Sequence, residues 1–325
     1  MAKHIQDIDG FCILPFIHLS TRTDGRMQIC CTANSDSTHD EQYIGCNRKD
    51  DGGFVELHKD KPEDYWNTKY MRTLRQGMLN GERPNVCRKC YKEEESGYRS
   101  KRMWENDLWS EQLDYNKIVD KMSEDGSMPY GIHYIDMKLG NKCNLACVMC
   151  NPADSSLWIP DWNKLKKCDI SSEVDSQTYW NKNEAGAYNW YKKSETYWDS
   201  LKENIDQLYS VYIIGGEPTV NPEFYKFLRD CVETGHAGHI DLRFNTNGQT
   251  LDEELKELYT HFKSVTLHLS MDGTHDRYTY IRYPGTWEDQ LDSLHWHDQL
   301  SNNVNVGIDC TAMALNAWHL PDFIV

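Results

Sequence analysis

Long apolar runs are absent from this chain: nowhere in its 325 residues does one approach the roughly 20 consecutive apolar residues needed to span a bilayer. The opening Met1-Ala-Lys-His-Ile-Gln-Asp-Ile-Asp-Gly10 also lacks a basic run followed by an apolar one, so it does not read as a secretory signal. A soluble, cytoplasmic protein with no membrane partner is expected. Positive charge is scarce as well. Against 51 Asp and Glu stand 35 Lys and Arg, a formal net charge of −16, and basic blocks are short, as in Arg99-Ser-Lys-Arg102. Such a surface repels a phosphate backbone, so nucleic acid is excluded as the expected partner. The length suits one large α/β domain and a smaller one, each able to bury a core.

Cysteine, by contrast, is plentiful. Twelve cysteines in a chain read as cytoplasmic, where disulfides are rarely kept, point to metal or redox chemistry, and their spacing decides which. Cys143, Cys147 and Cys150 form a tight CxxxCxxC triplet on a loop that follows Ile132–Lys138, whose mixed apolar and polar residues suit a strand. No fourth cysteine is near. Iron in a [4Fe–4S] cube is normally held by four thiolates, so three leave one iron open to a small molecule. Structural zinc wants four closed ligands, usually as paired CxxC knuckles, which this triplet does not supply.

The triplet resembles the signature of radical S-adenosylmethionine (SAM) enzymes, with Met149 where that family usually has an aromatic residue packed near the adenine. The resemblance implies a [4Fe–4S] cluster whose open iron chelates the amino and carboxylate groups of SAM. Reductive cleavage would then give methionine and a 5′-deoxyadenosyl radical that takes hydrogen from a substrate, with the electron supplied by an external one-electron reductant such as flavodoxin or ferredoxin.

Downstream, Tyr209–Ile214 reads as a strand, Gly215-Gly216-Glu217-Pro218 as a turn open to a ligand, and Asn221-Pro222 as a helix start with Asn capping and Pro at the first helical position. The turn lies where radical SAM proteins carry a similar motif. By that resemblance Gly215, Gly216 and Glu217 contact SAM, with Glu217 accepting from its amino group. Strand, loop and helix then repeat: Ile240, Leu242 and Phe244 lead into Asn245–Gly248, Val265, Leu267 and Leu269 into Ser270–Gly273, and Val304, Val306 and Ile308 into Asp309–Ala312. Alternating strands and helices imply a parallel sheet.

A parallel barrel places ligands at the C-terminal ends of its strands, so Thr246, Asn247, Ser270 and Asp272 are candidates for the SAM ribose and carboxylate, or else helix caps and turns. The run Asp272–Tyr283 resembles a loop of peptide-modifying radical SAM enzymes. Either Arg277 or Arg282 could pair there with the SAM carboxylate, Arg282 being carried forward as the contact.

Before residue 100 lies a second set: Cys12, Gly25, Cys30-Cys31, and Cys87-Arg-Lys-Cys90. A cysteine, a spacer, a glycine, four residues and a cysteine resemble the opening of SPASM and twitch auxiliary-cluster domains. Cys12, Cys30, Cys87 and Cys90 would then hold a second [4Fe–4S] cluster, with Cys31 able to replace Cys30. A zinc ribbon is the other reading, because thiolate count alone does not separate the metals. In most relatives this domain follows the barrel rather than preceding it.

The expected fold is α/β: residues 1–100 a cysteine-rich SPASM/twitch-like domain, 101–128 a helical connector with an apolar face of Trp104, Leu108 and Leu113, and 129–325 a partial (β/α)6-type radical SAM barrel lacking its last strand. That last expectation makes the chain a fragment or shortened variant with an open edge at Val304–Ile308. Trp158, Trp162, Trp180, Trp190 and Trp198 read as packing residues, Cys46, Cys168, Cys231 and Cys310 as buried small hydrophobes, and His133, His236, His239 and His268 as structural. Auxiliary-cluster relatives mostly crosslink, epimerise or oxidise peptides, so a peptide or protein substrate is expected. The rival readings are an iron–sulfur electron-transfer or sensor protein without SAM chemistry, and a zinc-bound interaction module.

Overall fold

The computed structural model describes residues 5–33, 44–165, 167–168 and 187–324. Trp180, among the aromatic residues named above, lies outside them. The chain divides into two compact units, Met1–Asp136 with Ser194–Gln207, and Met137–Lys193 with Leu208–Val325. This differs from boundaries at 100 and 128: the connector belongs to the first unit, and a later helix returns to it.

In the first unit, strand β1 (His18–Thr21) pairs antiparallel with β2 (Met27–Gln28) and parallel with the first half of β3 (Tyr134–Leu139), His18 opposite Tyr134 and Ser20 opposite Asp136. Short strands this near the N-terminus carried too few residues to show a period. The helices Lys69–Leu79 and Arg88–Glu95 follow, the first capped by Thr68, whose hydroxyl accepts from the Met71 N–H.

The connector is two helices, Lys101–Ser110 and Tyr115–Val119, separated where Asp114 caps the second. Its expected apolar face is wrong: Trp104 is 57% exposed and Leu108 is exposed, while Glu105, Asn106 and Trp109 are buried. Hydrogen bonding accounts for the turn of the helix. Asn106 accepts from the Ile13 N–H at 2.9 Å and donates to Phe11 O at 2.9 Å, and Glu105 accepts from Trp109 Nε1 at 3.0 Å. One polar side chain satisfied by a buried backbone segment and one by a buried indole outweigh the exposure of one tryptophan.

The second unit carries the end of β3 and then β4 (Ser210–Gly215), β5 (Asp241–Thr246), β6 (Ser264–Ser270) and β7 (Val304–Asp309), neighbouring in that order. The pairs β4–β5, β5–β6 and β6–β7 are parallel. Val211, Ile213, Leu242, Phe244, Val265, Leu267 and Leu269 are buried, as the strand period of two requires for one face. Burying each contributes about 1.5–3 kcal/mol, so a one-residue slip of a strand pair, which turns such a set outward, costs on the order of 10 kcal/mol. Between β4 and β5 runs the helix Pro222–Glu233, capped as the sequence implies: Asn221 accepts from the Glu223 N–H at 3.4 Å. Among the described strands β7 has a neighbour on one side only, and its Val306 and Ile308 are exposed. No helix among the described residues is long and apolar enough to cross a membrane.

Candidate functional site

The loop after β3 is fastened at nearly every residue. Asn141 donates to Pro152 O at 2.7 Å, Lys142 Nζ to Val220 O at 2.7 Å, Ala146 N to Tyr283 O at 2.6 Å and Val148 N to Ile281 O at 3.0 Å. Ser155 donates its hydroxyl to Leu145 O at 2.6 Å, and Trp158 Nε1 donates to Cys147 O at 2.9 Å. Trp158, read from sequence as packing, thus holds a carbonyl of the cysteine loop; an indole reaching a backbone oxygen leaves no signature in spacing. A loop so bound presents its thiols in one arrangement, which is what a metal site needs of its ligands.

Those thiols lie together in this unit. Cys150 donates to Cys147, which holds the Cys147 thiol down to about 7, with the Arg282 guanidinium adding to this and burial opposing it. Burial pushes the Cys143 thiol up to about 11, although the Leu145 N–H points at its sulfur from 3.4 Å. Of the three thiols Cys147 is thus the most readily ionised, and thiolate is the form that ligates metal. Met149 beside Cys150 is 36% exposed.

The loop after β4 also lies against the cysteine loop through backbone bonds. Gly216 N donates to Gly140 O at 3.0 Å and Glu217 N to Lys142 O at 2.8 Å. A Cβ on Gly216 would lie 2.1 Å from Lys142 O, so only glycine fits. The Glu217 carboxylate, 3% exposed, gathers the neighbouring loops: Oε1 accepts from Thr219 N at 3.1 Å, Thr219 Oγ1 at 2.7 Å and Thr246 Oγ1 at 2.8 Å, and Oε2 from Asn247 N at 2.6 Å. Burial raises its pKa and these donors pull it back. Asn247 in turn donates to Asn144 Oδ1 at 2.7 Å, tying the β5 loop to the residue after Cys143.

Ser270 ends β6, and two residues on the fully buried Asp272 accepts from Arg282 Nε at 2.6 Å and from Thr311 N at 2.7 Å. Arg282 also points Nη1 at Cys147 Sγ, 3.7 Å away. Arg277 instead donates to Leu315 O at the surface. Of the two arginines that the sequence left open, Arg282 is the one brought to the cysteines. Gly215, Gly216, Glu217, Thr246, Asn247, Ser270, Asp272 and Arg282 therefore all lie at or just beyond the C-terminal ends of β4, β5 and β6 or against the cysteine loop.

In the first unit Cys12, Cys30, Cys87 and Cys90 line one small pocket of about 20 Å³, with Thr32, Lys89 and Arg102 on its wall. Cys31 is not among its lining. Burial first, and then the proximity of Cys87 and Cys30, push the Cys12 thiol well up; burial and Cys30 do the same to Cys87. Sulfurs that oppose one another's ionisation around a shared space fit a cation there. Among the described residues no group of three or more His, Cys, Asp or Glu, whether this set or the central triplet, is already arranged to hold a single metal ion.

Of the remaining cysteines, Cys46 and Cys231 are fully buried as expected, but Cys168 is exposed and Cys310 is half-buried. Trp190 and Trp198 are buried, and His133 Nδ1 donates to Gln207 O at 2.9 Å.

Among comparisons with known proteins, one family match falls on the second unit. The family model described as the radical SAM superfamily matches residues 137–309. A 67-residue stretch is 34% identical to the mycofactocin maturase MftC of Mycobacterium ulcerans (strain Agy99), covering 21% of this chain and 17% of that protein. Among solved structures, Streptococcus suis SuiB bound to S-adenosylmethionine matches at 16% identity and a TM-score of 0.34, covering 78% of this chain and 53% of its own. SuiB bound to the precursor peptide SuiA matches at 15% and 0.34, covering 84% and 56%. The chain thus spans about half the length of these solved proteins and 17% of the curated one.

Proposed function

Because this chain belongs to the radical SAM superfamily, we propose that Cys143, Cys147 and Cys150 hold a [4Fe–4S] cluster at which SAM is reductively cleaved, for the modification of a peptide or protein. The observation that carries this reading is the fastened loop holding three neighbouring thiols, with Arg282 against Cys147. When bound, such a cluster supplies one electron to the SAM sulfonium, giving methionine and a 5′-deoxyadenosyl radical that takes a hydrogen atom from substrate.

The chain's own residues bind and orient. Asp272 holds the Arg282 guanidinium in place, and that guanidinium balances thiolate charge at Cys147 and offers its remaining N–H groups to the carboxylate of SAM. Glu217 locks the loops after β4 and β5 and faces the SAM amino group. Gly215 and Gly216 let the backbone approach the cofactor, and Thr246, Asn247 and Ser270 complete its ribose and carboxylate contacts.

The pocket lined by Cys12, Cys30, Cys87 and Cys90 offers the four thiolates that close a [4Fe–4S] cluster. That second site, with its resemblance to SPASM and twitch domains, is the ground for a peptide or protein substrate. A cytoplasmic setting and a reductant such as flavodoxin or ferredoxin complete the reading.

The test is anaerobic reconstitution with iron and sulfide, then SAM, dithionite and a pool of synthetic peptides, with mass spectrometry for 5′-deoxyadenosine and for altered peptides. The proposal expects 5′-deoxyadenosine whose formation at least one peptide accelerates. No 5′-deoxyadenosine under any of these conditions contradicts it.

A further inference from the structure

The face of the second unit's sheet opposite its apolar core is polar and open to solvent, and one set of side chains crosses four of its strands. Tyr212 on β4 donates its hydroxyl to Asn245 Oδ1 on β5 at 2.7 Å. Asn245 Nδ2 donates to Asp309 Oδ2 on β7 at 2.6 Å, and Asp309 Oδ1 lies 3.0 Å from His268 Nδ1 on β6. The direction of this chain fixes a proton. A carboxylate only accepts, so Nδ1 carries a hydrogen and Nε2 is the nitrogen turned away from Asp309. No hydrogen bond to Nε2 is formed among the described residues, and the imidazole is exposed.

The opposite strand makes room for the ring. Gly307 faces His268 in the β6–β7 register, and a Cβ there would meet Nδ1 at 3.1 Å and Cε1 at 3.2 Å. Any other residue on β7 would press the ring away from Asp309. Stability does not account for the arrangement: an exposed side-chain contact of this kind is worth about 0–1 kcal/mol. Position does. His268 precedes Ser270 by two residues on the same face of β6, and Asn245 immediately precedes Thr246, so the ring sits about 7 Å below the strand ends proposed to hold SAM.

We propose that His268 is a proton acceptor for the substrate, with Asp309 and Asn245 as its positioning residues. The class of substrate is one that presents an O–H or N–H beside the carbon from which hydrogen is taken. That O–H or N–H bond breaks, its electron pair stays on the substrate heteroatom, the proton forms the Nε2–H bond, and Asp309 stabilises the resulting imidazolium. The proton then passes to water on the open face, and no electron changes hands in this step. The role rests on the radical SAM reading above.

Two measurements on the reconstituted holoprotein test it. Diethyl pyrocarbonate attacks unprotonated, accessible imidazole nitrogen, and peptide mapping gives a rate for each histidine. His295, exposed and with its own Nδ1 bonded to Leu291 O at 2.8 Å, is the internal standard. His268 is expected to react at least as fast as His295, and Asp309→Asn to slow His268 about tenfold without changing His295. A His268 slower than His295 in the wild type, or indifferent to Asp309→Asn, overturns the proposal whatever becomes of SAM chemistry. The second measurement uses the most responsive peptide of the synthetic pool. In His268→Gly the yield of modified peptide per 5′-deoxyadenosine is expected to fall about 10²–10⁴-fold, and added imidazole to restore it at least tenfold. An unchanged yield, or a loss that imidazole does not rescue in a variant with the wild-type melting temperature, overturns it. Absence of 5′-deoxyadenosine in the wild type would sink the functional reading and this role with it, whereas the carbethoxylation rates judge the imidazole by themselves.

Discussion

Arg282 lies between Asp272 and Cys147, its Nε 2.6 Å from the carboxylate and its Nη1 3.7 Å from the sulfur. The ion pair is almost wholly buried, with side-chain exposures of 10% and 0%. Removing one member of such a pair leaves an uncompensated charge, so Arg282→Met is expected to destabilise the protein by roughly 3–5 kcal/mol. Adding Asp272→Asn should recover part of that loss. Urea denaturation of the two single variants and the double variant checks it; additive losses would mean that the pair is not coupled.

Gly216 has no alternative at its position, because the Lys142 carbonyl would lie 2.1 Å from an added Cβ. Gly216→Ala is expected to push the β4 loop off the cysteine loop, costing at least about 2 kcal/mol and lowering iron retention at the central triplet. Thermal denaturation and iron analysis read the two effects separately, and wild-type values for both would refute the contact.

His18 is buried against Tyr134, ring centroids 4.5 Å apart, and burial, with Lys101 nearby, lowers its pKa to about 3. The unfolded chain binds this proton near pH 6.5 and the folded chain does not, so stability falls as pH drops through 6.5 and goes on falling until about 3. Between pH 7.0 and 5.5 His18 should account for about 1 kcal/mol of lost stability. His18→Phe is expected to remove that part of the pH dependence, as urea midpoints at the two pH values would record.

In the first unit Cys30 lines the four-cysteine pocket and its neighbour Cys31 does not. Cys30→Ala should therefore lose about four of about eight irons per chain, and Cys31→Ala should lose none. Equal losses in both variants, or stoichiometric zinc in place of the missing iron, would overturn the assignment.

Much of the second unit was legible because its signals are local. The triplet spacing, Asn221-Pro222 at a helix start and the alternation of β5 and β6 each occupy a few adjacent residues, and each stands in the structure where the sequence implied. What was missed depends on partners distant in the chain. Trp158 could not be read as holding Cys147 O, nor Asn106 as the buried side of its helix, because the acceptors lie 11 and 95 residues away. His268 read as an ordinary strand histidine, and only the register of β6 on β7 brings it to Asp309. The choice between Arg277 and Arg282 was open for the same reason: five residues apart on one helical segment, they point to different surroundings.

Cleavage of SAM by the central triplet is the claim on which the account stands, and anaerobic 5′-deoxyadenosine formation measures it most directly. The reconstituted, reduced wild type should form 5′-deoxyadenosine from SAM, and Cys143→Ala, Cys147→Ala and Cys150→Ala should each abolish it. Undiminished 5′-deoxyadenosine from all three variants, or none from a wild type carrying its full iron, would contradict the account.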